Sequence, residues 1–427
     1  ELSLRKGSLM LQRWSNVELP IYLSVYLFEV TNPDEAEFKK AKPILKERGP
    51  YVFLEKRYKE ILGFEEDESL IIYKEFTSFY FDRSRSVGSL DDEIMVLNIP
   101  VVAAINHAIN EANFTDLGYV FIDILKATVD SLDEKLFEIH TIGEMLFTGY
   151  RVALFDKLTT MAKEFDMETE EKLANNTFGL LIKKNGTDSG IWKVQTGLEG
   201  DAFVVKTWNH SSYVPFWNGD YCNKIRGTDG SSFHPGIEKD EVLHIFHPDI
   251  CRSAFLEYDT EASIYDVSTY RFIIPDKVFA APSKYSNNAC FCTRREHDRH
   301  VCTIDGIQDM SACADGAPII TSSPHFYGAD PKLMKDVEGL TPEKSKHQAY
   351  VDIEPTTGAV VNAARRMQVN VEIKNSQEFP ILSNVRNMIL PVMWIQEVKF
   401  VIFYLLNQNF NHRVPELTKK WPMNSRI

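Results

Sequence analysis

Cys290, Cys292, His297, His300 and Cys302 fall within thirteen residues, enough soft ligands in principle for a zinc site. Zinc requires free thiolates, whereas an oxidising compartment converts clustered cysteines to disulfides. The chain has six cysteines, at 222, 251, 290, 292, 302 and 313, and none elsewhere. An even, clustered set reads as a disulfide framework, so no metal is expected. Spacing alone leaves fifteen pairings open. If Cys290 and Cys292 lie on a strand, they point the same way, and each needs a distant partner.

Other chemistry-bearing patterns have simpler readings. His244 and His247 lie one helical turn apart, but Val242, Leu243 and the following Pro248 suit a strand end better. His325, after Pro324, reads as an internal hydrogen-bonding residue. Gly227-Thr-Asp-Gly lacks the Lys-Ser/Thr of a phosphate loop and reads as a turn. Neither Gly-x-Ser-x-Gly nor His-Glu-x-x-His occurs, and no acid–base pair stands apart. The expectation is a protein without a cofactor that is not an enzyme.

The elements that carry these residues form a mixed pattern. Ile21–Val30 reads as a strand apolar on both faces, ended by Thr31-Asn-Pro-Asp. Gly49-Pro50 reads as a turn into Tyr51-Val-Phe. Met367, Val369, Val371 and Ile373 alternate with Gln368, Asn370, Glu372 and Lys374, the signature of a strand with one wet face. Further strands are expected at Ser268–Ile274 and Val401–Leu406. Between 100 and 165 the period becomes helical, with Phe121, Leu125 and Leu132, then Leu154, Leu158, Met161 and Phe165. This predicts an α+β protein with a sheet core and an inserted block of three to five helices.

The 427 residues include 47 basic and 61 acidic side chains, a net charge of -14 that repels nucleic acid. No run reaches the roughly 18 apolar residues of a membrane span, and the first residues lack the apolar core of a signal peptide. Acceptor sequons at Asn113, Asn175, Asn185 and Asn209, together with the cysteines, indicate the secretory pathway and a glycoprotein.

A set of blocks runs through nearly the whole chain in a characteristic order. They include Val25-Tyr-Leu-Phe-Glu-Val-Thr-Asn-Pro, Gly49-Pro-Tyr, Leu97-Asn-Ile-Pro and Asn223-Lys-Ile-Arg-Gly-Thr-Asp-Gly. They continue with Asp249-Ile-Cys-Arg-Ser, Tyr270-Arg-Phe, Cys290-Phe-Cys, Ser323-Pro-His-Phe-Tyr and Asp352-Ile-Glu-Pro-Thr-Thr-Gly. By these the chain resembles the class B scavenger receptors. The resemblance implies a single ectodomain over 1–427, held between two membrane spans that lie outside this chain. It implies an antiparallel β-barrel core, a helical-bundle apex at 99–165 and an internal hydrophobic tunnel. The cysteine region, 222–313, is closest to the fatty acid translocase branch, which implies Cys222–Cys290, Cys251–Cys313 and Cys292–Cys302.

What the family does implies a lipid or lipoprotein ligand, conducted through the tunnel to the membrane. The alternative is a lysosomal-type receptor that binds a protein cargo through the apex helices, with His107 or His140 adding pH dependence. The location would be the plasma membrane with an extracellular ectodomain, or the lysosomal membrane with a lumenal one. Phe121, Leu125 and Phe137, with Lys126, Lys135 and Lys157, are the candidate ligand entrance. The block from 101 to 165 holds five basic and ten acidic residues. That departs from the basic apex of lipoprotein-capturing relatives and favours a neutral lipid, sterol, carotenoid or fatty acid over an anionic particle.

Overall fold

The computed structural model describes residues 3–16, 20–112, 116–164, 176–264, 266–294 and 296–400. The strands are β1 (Ile21–Val30), β2 (Leu45–Phe64), β3 (Leu70–Phe81), β4 (Glu93–Leu97), β5 (Phe137–Thr141) and β6 (Tyr150–Arg151). Next come β7 (Thr177–Phe178), β8 (Thr187–Gln195), β9 (Val205–Trp208), β10 (Leu243–His247), β11 (Arg252–Ile264) and β12 (Val267–Ile273). The last are β13 (Ile307–Asp309), β14 (Ile319–Ser322), β15 (Tyr350–Glu354), β16 (Ala359–Ile373) and β17 (Met388–Phe400). The helices that matter below are α1 (Leu9–Ser15), α2 (Pro33–Phe38), α3 (Ile99–Ala112), α4 (Asp116–Ser131) and α5 (Ala153–Glu164).

One antiparallel sheet takes in thirteen of these strands, in the order β10-β11-β12-β15-β16-β17-β1-β2-β3-β8-β9, with β14 on β16 and β13 on β14. It curls until its two edges nearly meet. The gap is bridged by a segment outside any strand. Val205 of β9 donates its N–H to the Gly227 carbonyl at 2.8 Å. Beyond it, Thr228 donates to the His244 carbonyl at 3.1 Å and accepts from the Phe246 N–H at 2.8 Å. Gly227 has φ +81°, and a Cβ there would stand 1.8 Å from the His244 carbonyl oxygen, so only glycine permits this approach. The fold is therefore α+β with a barrel-like sheet.

β1 is central, between β17 and β2, which explains why both of its faces are apolar. Pro33 opens α2, where a missing N–H costs nothing. The expected turn at Gly49-Pro50 is not a turn. Both residues, joined by a cis peptide, lie inside the 20-residue β2, beside a register shift between Val25 and Leu27. Gly49 is needed there because a Cβ would come within 2.8 Å of the Val25 carbonyl.

A second correction concerns β16. Its polar residues alternate as expected, but their face is dry: Gln368 and Asn370 are fully buried and Glu372 nearly so. β14 pairs beside these residues in the sheet, and the cover is the segment at His325 with Arg294. Asn370 Nδ2 donates to the Ile320 carbonyl at 3.0 Å, and Gln368 Oε1 accepts from the His325 N–H at 2.7 Å. Arg294 Nη1 meets Glu372 at 2.8 Å. Polar residues survive burial when each finds such partners.

Among the described residues, the block between 99 and 165 holds three α-helices, α3, α4 and α5. β5 interrupts it and pairs with β4. Val101 and Ile105 of α3, Leu125 and Val129 of α4 and Leu154 of α5 share one core with Val371, Leu390 and Trp394 of the sheet. Ser268–Ile274 matches β12 to within a residue. The Val401–Leu406 strand and Phe165 lie outside the described residues. Among the described residues no helix is long and apolar enough to cross a membrane.

Candidate functional site

Glu55, Arg57 and Lys59 lie at i, i+2 and i+4 on β2, so all three share the face of Phe53. In register beside them stand Ile21 of β1, and Phe79, Thr77 and Glu75 of β3. Glu397 of β17 lies opposite both Leu23 of β1 and Arg365 of β16. Two of the contacts that follow, Arg57 to Glu397 and Arg365 to His247, skip strands. Arg57 Nη2 meets Glu397 Oε2 at 2.8 Å across β1, while its Nε pairs with Glu55. Arg365 Nη2 meets Glu397 at 2.6 Å, and its Nη1 donates to His247 Nε2 on β10, with three strands between. Only a chord through the concave side of a curled sheet makes that reach. Lys184 Nζ holds Asp249 at 2.6 Å, and Lys59 Nζ lies 2.5 Å from Glu75 and 3.6 Å from Asp229.

These charges form a belt inside the barrel, with apolar layers on both sides. One layer contains Leu23, Val25, Phe53, Met393 and Ile395, with Phe79, Phe81 and Phe147 against it. The other contains Trp14, Tyr73, Trp192 and Phe246. Lys59 touches that layer through the faces of Trp14 and Tyr73, at 4.9 and 5.5 Å from their centroids.

Burial and pairing divide the titrations of the belt. Burial lifts the Glu55 carboxyl to about 7, against the pull of Arg57. Burial also acts upward on Glu397, but Arg365 and Arg57 outweigh it and hold that carboxylate down at about 2. His247 falls to about 4, through burial and then Arg365. Asp249 is held far below the usual carboxylate range: burial opposes this, and His247, Lys184 and Arg365 overcome it. With Glu55 protonated, the cations Arg57, Lys59, Lys184 and Arg365 match the carboxylates Glu75, Asp229, Asp249 and Glu397. The belt is then neutral and polar, suited to the head of an amphiphile more than to proton transfer.

All six cysteine sulfurs are in disulfides: Cys222–Cys290, Cys251–Cys313 and Cys292–Cys302. A zinc site at Cys290, Cys292 and Cys302 would lack thiolates. Cys290 lies within a 3₁₀ segment, Ser286–Phe291, and Cys292 follows it, so the strand argument does not apply. Cys292 pairs only ten residues away. His325 does bond internally: its Nε2 meets Glu47 at 2.7 Å and its Nδ1 accepts the Thr341 N–H. Burial drives its stacking neighbour His347 down to about 4.

The proposed entrance residues do not gather on one surface. Leu125 and Phe137 are buried in the core shared by the helices and sheet, Phe137 on β5 and not on a helix. Phe121 is exposed on α4, where Lys126 is half-buried. Lys135 and Lys157 are exposed, Lys135 lying 3.5 Å from Asp133. Asn113 and Asn175 lie outside the described residues. Asn185 is half-buried and Asn209 exposed; their side-chain oxygens accept from the Phe79 and Ile191 N–H groups, each at 2.9 Å.

The CD36 family profile matches residues 1–421 of the chain. The chain belongs to the CD36 family. Among members of that family, lysosome membrane protein 2 of Homo sapiens is 34% identical over 400 residues, 93% of this chain and 78% of that protein. Lysosome membrane protein 2 of Mus musculus is 33% identical over 397 residues, covering 92% and 78%. Scavenger receptor class B member 1 of Rattus norvegicus is 34% identical over 394 residues, covering 92% and 73%. This is thus a scavenger-receptor-type membrane protein family, with relatives named for the lysosome membrane and for a receptor role.

The belt was missed in the sequence. Glu55, Arg57 and Lys59 sit in Leu-Glu-Lys-Arg-Tyr-Lys-Glu, where charge falls on both faces and gives no inward signal. Tyr58, the aromatic residue of that run, is the exposed one. A polarity rule would have placed the strand the wrong way round.

Proposed function

We propose that this protein is a receptor whose lumenal or extracellular barrel takes in a hydrophobic ligand and passes it through its interior toward the membrane. Fatty acid, sterol, carotenoid and lipoprotein lipid are the ligand classes. One observation carries the reading. His247, Asp249 and Arg365 are joined across the inside of the barrel, yet their side chains retain 28, 30 and 35% of their surface. Groups bridged across a tightly filled interior would keep almost none. Aromatic and aliphatic layers on both sides of the belt offer an acyl chain about 0.8 kcal/mol per CH₂ withdrawn from water. The acidic helices α3 to α5 favour an uncharged cargo over an anionic particle.

In the same reading the helices form the ligand-collecting end, the chain is carried between two membrane spans, and the protein catalyses no reaction. Asn185 and Asn209 carry glycans. The test is native mass spectrometry of the purified protein, followed by lipid extraction. A stoichiometric co-purifying lipid is the expected result. Protein that stays empty after exposure to fatty acid, sterol and phospholipid vesicles would overturn the reading.

A protein cargo is the second reading, and one observation favours it. Val120 and Phe121 are neighbours on α4 and are 53 and 39% exposed, an apolar pair on a helix surface. Capture experiments with Val120→Glu and Phe121→Glu variants at neutral and acidic pH address it. Equal capture of cargo by wild type and variants would remove α4 from the interface.

A further inference from the structure

Arg252 opens β11 and is 4% exposed, but its partners are neutral. Its Nε donates to the Ser253 carbonyl at 3.1 Å, and Nη1 to the Val278 carbonyl at 3.3 Å and Gln308 Oε1 at 2.9 Å. The guanidinium lies 3.4 Å from the centroid of the Phe291 ring. Among the described residues no carboxylate pairs with it. Carbonyl dipoles and an aromatic face soften the burial of a full charge, but they do not neutralise it. Burial lowers the arginine to about 9, which leaves it charged at neutral pH.

Gln308 of β13 has the complementary fault. It is 5% exposed, its oxygen is taken by Arg252, and its Nε2 is buried with no acceptor. Leaving a donor of that kind empty costs roughly 1–3 kcal/mol. Both side chains line one cavity of about 40 Å³, walled also by Val278, Phe291 and the Cys292–Cys302 disulfide. Asn288 lines it too, but its amide nitrogen already donates to the carbonyls of Lys277, Val278 and Ala280. Asp309 reaches the same wall, but Arg294 engages both of its oxygens and the Ser311 N–H adds a bond at 3.0 Å. Its charge is therefore matched within its own cluster.

An unbalanced cation, an N–H without an acceptor and a space larger than the roughly 10–15 Å³ one water requires all have one solution. We propose that this cavity binds a small monovalent anion of the halide class, held between the Arg252 guanidinium and the Gln308 amide nitrogen. The anion ties β11 to the segment closed by Cys292 and Cys302. A water could satisfy Gln308 but would leave Arg252 uncompensated. The inference is independent of the ligand-transport reading, because the cavity is built from the disulfide segment and not from the belt.

The experiment compares thermal unfolding of the protein in sodium bromide and sodium isethionate at constant ionic strength, with anomalous diffraction from crystals grown in bromide. The expected result is a melting temperature that climbs with the logarithm of bromide concentration, and an anomalous peak in contact with Arg252 and Gln308. Gln308→Glu places a carboxylate against the guanidinium, so the bromide dependence should vanish in that variant. Identical melting in the two salts for the wild type, or density there without anomalous signal, would overturn the proposal. Should Gln308→Glu fail to fold, these two wild-type measurements decide alone.

Discussion

Arg365 of β16 donates to Nε2 of His247 at the end of β10, although β15, β12 and β11 lie between their strands. Nδ1 of the same ring then faces the Asp249 carboxylate at 3.7 Å. A second positive charge on His247 would stand directly against the guanidinium, which is one reason the ring titrates only near 4. The contact converts two distant strands into opposite walls of one interior.

Glu55 and His247 should drive stability in opposite directions with pH. The Glu55 carboxyl is raised from 4.5 to about 7 in the fold, so its contribution is complete below about 4.5 and is lost as pH rises toward 7. His247 is lowered from 6.5 to about 4, so its contribution is complete above about 6.5 and is lost as pH falls toward 4. Melting temperatures from pH 4 to 8 should show a shallow profile for the wild type. Glu55→Gln should lose more stability on acidification than the wild type does, and His247→Gln should gain. Parallel profiles in all three proteins would show that neither group is perturbed as described.

Arg57 stands between two buried carboxylates, Glu55 and Glu397. Arg57→Met removes the cation and leaves the buried Glu397 carboxylate with Arg365 as its one remaining arginine partner, at a cost of about 3–5 kcal/mol. The double variant Arg57→Met with Glu397→Gln should recover part of that loss in denaturant titrations. If the double variant is no better than the single one, the pair is not coupled.

Gly227→Ala strikes the barrel closure itself, since the new Cβ meets the His244 carbonyl in a region of φ that side chains avoid. We expect a loss of about 2–3 kcal/mol. Hydrogen exchange should locate it: the amides of Val205, Thr228 and Phe246 should lose protection first. Uniform loss across all strands would argue against a local seam.

Asn209→Gln and Asn185→Gln should each remove one glycan, visible as a stepwise mass decrease in intact-protein spectra of material from a secretory host. Asn209→Gln is expected to fold normally. Asn185→Gln also disturbs the bond from the Phe79 N–H, so it should lower the melting temperature by a few degrees as well. No mass step for either residue would remove it from the glycosylated set.

Several elements were legible because their physics is local. The apolar run of β1, the proline that ends it, and the helical period around Leu125 and Leu154 each follow from a few neighbouring residues. The family blocks carried further still, since they fix order along the chain. Less legible was anything that depends on what covers a face. Gln368, Asn370 and Glu372 look like a solvent face, and become interior only because the His325 segment and Arg294 close over them.

By itself the sequence determined an α+β protein, a cysteine cluster suited to an oxidising compartment, and membership in a receptor family. Those depend on composition, period and order, which are properties of the chain in one dimension. Tertiary structure alone decided that Gly227 seals the sheet, and that Glu55, Arg57, Arg365 and Glu397 share an interior belt. Each of these is a contact between residues far apart in sequence, on strands whose inward face is set by curvature. No local pattern encodes that curvature, because the same alternating charges would serve equally well facing water.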